Sequence, residues 1–188
     1  MSSAGRFGQT SAAQRMSPVR FTMEERRTAH AAELFEVLRD PKLYEFLDEA
    51  PPESVEELAE KLARSESRLS PDGKEHWLNW IVRAESGEIA GYVQATVEES
   101  KETNVAYVFA SRFQGQGIAS ASVQRMLEFV VVRHHATPLL IVTEAANLAS
   151  IRLAKRLGFT TAPQTYSAKR GTGSNEVLLW LRALPSAR

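Results

Sequence analysis

The chain has 188 residues, which is enough for one domain with a full hydrophobic core. Its 23 basic and 23 acidic residues give a net charge of zero, and this balance argues against a dedicated nucleic-acid-binding protein, which usually carries a basic excess. The absence of cysteine excludes disulfides, thiol nucleophiles and cysteine-based metal sites.

The N-terminal segment and the hydropathy pattern bear on location. Residues 1–17 are too weakly hydrophobic to offset the entropy of ordering, so we predict a disordered N-terminal tail, followed by a single domain over residues 18–188. The first residues lack the apolar middle of a secretory signal, and no apolar run approaches the ~20 residues of a membrane helix. We therefore expect a cytoplasmic protein that binds neither membrane nor nucleic acid.

The first part of the domain is predicted to be one strand followed by two helices. Residues 19–23 form the strand, and apolar residues at helical spacing then predict a helix that ends before Pro41. Ser54 and Glu57 form a capping box at the start of a second helix. The apolar positions of the first helix are Ala31, Leu34, Phe35 and Leu38.

Three strands are predicted in the middle of the chain. Apolar and polar residues alternate along residues 77–84 and, most clearly, along residues 89–97. Residues 104–110 form the third strand. Because the connections between these strands are short, we expect an antiparallel meander.

The remaining segments alternate helix and strand. Residues 118–133 have one apolar helical face, and the almost continuously apolar residues 138–143 are typical of a strand buried on both faces. A further helix ends at Gly158, a C-cap. We expect residues 160–174 to be mostly loop and residues 177–181 to be a last strand. This order indicates an α+β domain with a mixed sheet.

A glycine loop precedes the long helix. Gly115 and Gly117 let the backbone approach a ligand closely, and the free N–H groups of the following helical turn suit a phosphate or pyrophosphate. The NTPase phosphate-loop pattern is absent from the sequence. The alternative is that these glycines only make a tight strand-to-helix turn.

A second notable segment begins at Asn147, whose side chain suits a helix N-cap. Ser150 lies at the start of an otherwise apolar helical face that includes Leu153, Ala154 and Leu157. A serine at that position either packs as a small residue or points into a cleft.

Together the two segments resemble the GNAT superfamily of acetyl-CoA-dependent N-acetyltransferases, and within it the branch of the ribosomal-protein N-terminal acetyltransferases. The run from Gln114 to Ala119 matches the Q/R-x-x-G-x-G/A pyrophosphate motif, and Asn147, Ser150 and the Leu-Gly-Phe ending at Phe159 match the N-x-x-S…L-G-F segment of the branch. The resemblance implies a GNAT-like mixed, mostly antiparallel sheet with a central splayed parallel strand pair, flanked by helices.

The resemblance also implies how acetyl-CoA binds. The co-substrate would lie in the gap between the two parallel strands, held open by a bulge, and an amine would attack the thioester directly without an acyl-enzyme. No metal is expected, because His30, His76, His134 and His135 have no ligand spacing. The residues assigned to acetyl-CoA are Val108, Phe109, Ala110, Gln114, Gly115, Gln116, Gly117, Ile118, Ala119, Ser120 and Asn147.

The catalytic residues are less well defined by the resemblance. Many superfamily members have a tyrosine acid where this chain has Ala154, so Ser150 is the hydroxyl assigned to the departing sulfur. Glu98, or a water chain, is the favoured proton acceptor for the amine, although Glu98 also fits a solvated strand end. The other candidates are Tyr92, Gln94 and Tyr107.

The sequence does not identify the acceptor amine. The branch often has an acidic residue and a glycine where this chain has Ala162 and Pro163, so its acceptor contacts are not transferred. Two other functions are alternatives: a catalytically idle acyl-CoA binding or sensing module, and a nucleotide-binding interaction domain that uses the same loop. A homodimer is compatible with the sequence.

Overall fold

A computed structural model describes residues 19–47 and 49–184. The predicted tail, residues 1–17, lies outside the described residues. One seven-stranded sheet has the order β1-β2-β3-β4-β5-β7-β6, and its only parallel pair is β4 with β5 within the described part of the chain. The strands are β1 Phe21–Glu25, β2 His76–Ala84, β3 Ile89–Val97, β4 Thr103–Phe109, β5 Leu139–Glu144, β6 Thr160–Thr161 and β7 Glu176–Leu181.

Five α-helices flank this sheet in the described residues, and none of them is long and apolar enough to cross a membrane. Ser54 caps α2 as predicted, because its Oγ accepts from Glu57 N at 3.1 Å. In a capping box the Glu57 carboxylate would accept from the N–H of Ser54 itself. Here it accepts from Glu53 N, one residue before the cap. The helices are α1 Ala31–Leu38, α2 Val55–Ser65, α3 Ile118–His134, α4 Leu148–Arg156 and α5 Gln164–Lys169.

The sheet separates two layers of helices. On one face, Tyr92 and Gln94 of β3 look toward α1 and α2, whose Leu34 and Leu58 line the same cavity. Trp80 of β2 is on the opposite face, where its ring packs edge-on at 5.4 Å against Phe129 of α3. The mixed, mostly antiparallel sheet flanked by helices confirms the predicted fold class.

The parallel pair splays as expected, but not through a bulge. β4 and β5 pair only at Thr103↔Leu139 and Asn104↔Leu140, after which the strands diverge. The β3–β4 register continues without a shift from Val97↔Thr103 to Gly91↔Phe109. Strand β4 instead approaches β3 closely at Gly91, where a Cβ atom would lie 2.1 Å from the Val108 carbonyl oxygen. The gap therefore lies on the β5 side of β4, beyond Asn104.

One segment differs from the sequence-based expectation. Residues 160–174, expected to be mostly loop, contain the short edge strand β6 and the helix α5. The segment has no clear apolar period, and its order comes from contacts with distant residues: Tyr166 and Arg170 of this segment both bond to Glu102. The local sequence pattern therefore does not predict α5, because distant contacts stabilise this helix.

Candidate active site

The glycine loop turns the chain sharply from β4 into α3. A short 3-10 turn over Ser111–Phe113 comes first, and Phe113 is buried. Gly115 and Gly117 both have positive φ, 76° and 80°, a conformation that glycine adopts without steric cost. Gly117 is the N-cap of α3, so the backbone is exposed just where the helix begins.

The first turn of α3 presents free backbone donors. Ala121 N–H bonds to the Gly117 carbonyl at 3.0 Å, whereas the N–H groups of Ile118, Ala119 and Ser120 have no acceptor among the described residues. Arg156 of α4 reaches the same turn and donates to Ser120 Oγ at 3.2 Å. Free N–H groups, the helix dipole and a guanidinium together favour a bound anion.

The edge of β4 that faces the gap has a definite set of backbone groups. Thr103 N–H bonds toward β5, to Pro138 O at 3.0 Å, and Ala110 N–H bonds toward β3, to Ala90 O at 2.9 Å. Because alternate residues of a strand point to opposite edges, Val105, Tyr107 and Phe109 present their backbone groups to the gap.

Two of the backbone positions assigned to the pantetheine arm point toward β3 and not into the gap. The Ala110 N–H is already bonded to Ala90, and the alternation directs the Val108 backbone to β3. Phe109, the third assigned residue of this strand, does face the gap. The sequence resemblance points to this stretch of β4, whereas the edge to which each backbone group points is set by the pairing with β3.

Two hydroxyl groups meet across the gap. Tyr107 of β4 lies with its phenol oxygen 3.0 Å from Ser150 Oγ and 3.2 Å from the Ser150 carbonyl oxygen. Burial raises the pKa of the Tyr107 phenol, although its hydrogen bond to Ser150 opposes the shift. The phenol is thus neutral at ordinary pH and can donate a proton.

Asn147 holds Ser150 in place rather than lying free in the gap. Its Oδ1 accepts from Ser150 N at 3.0 Å, as the N-cap of α4. The cap fixes the first turn of the helix, and with it the position of the Ser150 hydroxyl. The Asn147 side-chain oxygen therefore accepts a hydrogen bond from within the protein. Asn147, assigned to acetyl-CoA from the sequence, would act on it only by positioning Ser150.

Glu98, the favoured proton acceptor, lies in a polar cluster at the closed end of the gap. Its carboxylate accepts from Arg170 Nη2 at 3.0 Å and from Asn104 Nδ2 at 3.3 Å. Arg170 also binds Glu102 and Asn104, and the hydrogen bond to Glu98 raises the pKa of Arg170. A carboxylate with these partners has fewer lone pairs left for an amine proton, and a structural role in fixing α5 fits its geometry better.

A cavity of about 200 Å³ lies on the other face of the sheet, between β3, β4 and the first two helices. Tyr92 and Gln94, two of the candidate proton acceptors, are in its wall together with Val108, so the cavity adjoins the strand that borders the gap. Its polar lining residues are Arg26, Tyr44, Glu49, Lys61, Tyr92 and Gln94.

The arrangement brings together two compartments at β4. The free N–H groups of the first turn of α3 and the Tyr107–Ser150 pair belong to the α3–α4 side, and the cavity to the α1–α2 side. Residues 19–47 and 49–184 contain no group of three His, Asp or Glu side chains placed to hold a metal ion.

Three arginines in or near the site were not singled out from the sequence. Arg26, Arg156 and Arg170 are ordinary basic residues in their local segments. The last turn of α4 is basic, which is favourable at the negative end of the helix dipole. In the sequence, Arg156 therefore needs no other role than this one. Only the packing of α4 beside α3 places Arg156 at the first turn of α3.

Comparison with known proteins is consistent with this geometry. The family model of the acetyltransferase (GNAT) domain matches residues 20–160. RimL, a ribosomal-protein α-N-acetyltransferase solved with coenzyme A, is 23% identical with a TM-score of 0.73, and the match covers 91% of this chain and 97% of that chain. No curated protein sequence matches the chain significantly.

Two further solved structures have the same fold. Spermidine N-acetyltransferase from Vibrio cholerae, in complex with CoA and spermine, is 16% identical with a TM-score of 0.66, over 88% of this chain and 96% of that chain. An aminoglycoside acetyltransferase in complex with coenzyme A is 18% identical with a TM-score of 0.66, over 87% and 95% of the two chains.

Proposed function

The chain belongs to the GNAT acetyltransferase family, and from this premise we propose that it transfers an acetyl group from acetyl-CoA directly to a primary amine. The observation that carries the proposal is the open gap beyond Asn104, with free N–H groups at the start of α3 and a pair of hydroxyls across from β4. Similar structures solved with coenzyme A support acetyl-CoA as the donor.

The binding role of the chain follows from its free backbone donors. The N–H groups of Ile118 to Ser120 and the Arg156 guanidinium hold the pyrophosphate of acetyl-CoA. The backbone groups of Val105, Tyr107 and Phe109 pair with the amide groups of the pantetheine arm, as an added strand would. The thioester then lies beside the Tyr107–Ser150 pair.

The transfer itself needs two proton movements. The neutral amine nitrogen forms a bond to the thioester carbon, the carbon–sulfur bond breaks, and the sulfur leaves with the bonding electrons. The Tyr107–Ser150 pair donates a hydrogen bond to that sulfur and supplies its proton. The amine loses its proton to water in the cavity, because Glu98 is engaged by Arg170. An α-amine with a pKa near ~8 needs little help at this step.

Replacement of Ser150 by alanine tests this assignment. We expect Ser150→Ala to lower kcat about 10-fold with CoA affinity changed only a few-fold, because the hydroxyl acts mainly in the transition state. Tyr107→Phe should have a similar effect, and the double variant should lose little more, since the two hydroxyls act as one unit. Thiol release with the best acceptor measures kcat, and Ser86→Ala, in an exposed turn, is the control.

The same assay separates catalysis from simple binding. An acceptor panel should include peptide N-termini, aminoglycosides, spermidine and amino acids. The first three are chosen because similar solved structures are acetyltransferases named for those acceptors. Amine-dependent thiol release supports transfer. Tight CoA binding without release for any amine would contradict it and favour the idle acyl-CoA binding module, which the alanine at position 154 also suggests. Competition by ATP for the CoA site would favour a nucleotide-binding domain.

A further inference from the structure

Arg26 is the unusual residue of the cavity between the sheet and the first two helices. Its backbone N–H bonds to Asn79 O at 3.0 Å, and its guanidinium carbon lies 5.1 Å from the centre of the Tyr92 ring. Within residues 19–47 and 49–184 its side chain has no ion pair or hydrogen bond, and its Nε is buried without a partner. A buried polar donor in this state is uncommon and calls for an explanation.

Other arginines of this chain show the usual solution. Arg83 bonds to Glu24 and Glu33, and Arg170 to Glu98 and Glu102. Even exposed arginines form ion pairs here, among them Arg20, Arg27, Arg39 and Arg68. Glu49 is the only carboxylate in the wall of this cavity among the residues described, and it forms no ion pair with Arg26.

The free energy of this arrangement favours an added anion. Burial lowers the pKa of the Arg26 guanidinium, yet an arginine keeps its charge in proteins. The Tyr92 ring stabilises the cation, but by less than the cost of desolvating a charge without an ion pair. A bound carboxylate would supply the missing partner in the bidentate geometry that guanidinium groups prefer.

The other polar groups around Arg26 fit an anion as well. Burial, together with Tyr92 and Glu49, raises the pKa of Tyr44 to about 12, and burial raises the pKa of Tyr92. Both phenols are therefore neutral donors. The Gln94 amide also lines this cavity, and Lys61 at its edge is paired with Glu57 at 2.8 Å. Glu49, in contrast, is exposed and has room at the mouth to attract the ammonium form of an arriving amine.

We propose that Arg26 selects amine acceptors that carry a carboxylate close to the amine, held in the cavity beside β4 while the amine faces the gap. The inference rests on the proposed acetyl transfer and names its substrate class. Polycationic amines are disfavoured, because a second cation would lie against an unpaired guanidinium. Peptides or amino acids with an acidic group at the acceptor end are the favoured class.

Matched peptide pairs test the proposal. Tripeptide amides that begin with Asp or Asn, and with Glu or Gln, present the same backbone amine with and without the carboxylate. We expect the wild type to prefer the acidic member about 10-fold or more in kcat/KM, the range of one charged hydrogen bond. Arg26→Met should remove that preference and leave the neutral peptides within about 3-fold, and Arg26→Lys should retain part of it. CoA affinity should be unchanged in each variant.

Arg27→Met is the matched control, because the neighbouring Arg27 is exposed and paired with Glu25 outside the cavity. Equal kcat/KM for acidic and neutral peptides in the wild type would overturn the acidic specificity while leaving acetyl transfer in place. Where no peptide is acetylated, calorimetric titration of the CoA-loaded protein with the same peptides decides. Tighter binding of the acidic member that is lost in Arg26→Met supports the site, and equal or absent binding overturns it.

Discussion

Gly117→Val is expected to weaken CoA binding about 100-fold while the protein still folds. The valine would be the N-cap residue of α3, next to the free N–H groups of Ile118, Ala119 and Ser120, and its Cβ would lie 3.1 Å from Val19 Cγ2. Loss of access to two charge-assisted hydrogen bonds, at about 1.5 kcal/mol each, corresponds to roughly that factor in Kd. The positive φ of Gly117, 80°, also strains any larger residue and distorts the turn.

The strain has to be separated from the loss of the binding site. Gly73 has a φ of 74°, and a Cβ there meets no atom within 4 Å, so Gly73→Val has the same kind of strain in the turn that precedes β2. Calorimetry should give a normal Kd for the Gly73 variant and a raised Kd for the Gly117 variant at matched thermal stability. Unchanged CoA affinity in a folded Gly117→Val protein would show that the pyrophosphate does not bind at this turn.

Gly91→Ala is expected to destabilise the fold by about 3 kcal/mol or more, which is large for one added methyl group. The new Cβ would lie 2.1 Å from the Val108 carbonyl oxygen and 2.8 Å from Phe109 Cα. Both neighbours are backbone atoms of β4, so no flexible side chain can move aside and the strand itself must shift. The shift would also move the edge of β4 that borders the gap.

Urea denaturation with and without CoA measures both effects. The Gly91 variant should have a lower midpoint, and CoA should raise that midpoint less than in the wild type, because the displaced strand binds the ligand more weakly. Gly87→Ala adds a methyl group into open space and should cost only the strain of its backbone conformation, about 1 kcal/mol. A Gly91→Ala protein as stable as the wild type would mean that β4 does not need its close approach to β3.

Several parts of the site were predictable because they are local. The glycine loop must turn the chain between a strand and a helix, and positive φ at Gly115 and Gly117 agrees with that requirement. Asn147 caps its helix as predicted, since an N-cap needs only the residues that follow it. The position of Ser150 at the start of an apolar helical face follows from the same periodicity.

Other parts depend on residues far apart in the chain. Glu98 was the favoured proton acceptor from its place at the end of a strand, and it is instead bonded to Arg170, 72 residues later. Tyr107 was one of several candidates, and its contact with Ser150 spans 43 residues. Neither pairing leaves a periodic or spacing signal, because side chains from different elements meet only after the sheet and helices have packed.

The sequence by itself determined the order of the main helices and strands, the family resemblance and the turn of the glycine loop, because periodicity, capping and turn chemistry act over a few residues. Tertiary structure alone decided which edge of β4 is free, since backbone parity is set by pairing with β3. It also decided that Arg26 has no ion pair among the described residues, and that β4 approaches β3 closely at Gly91. Burial, register and charge pairing are properties of packed elements, and a single segment does not contain them.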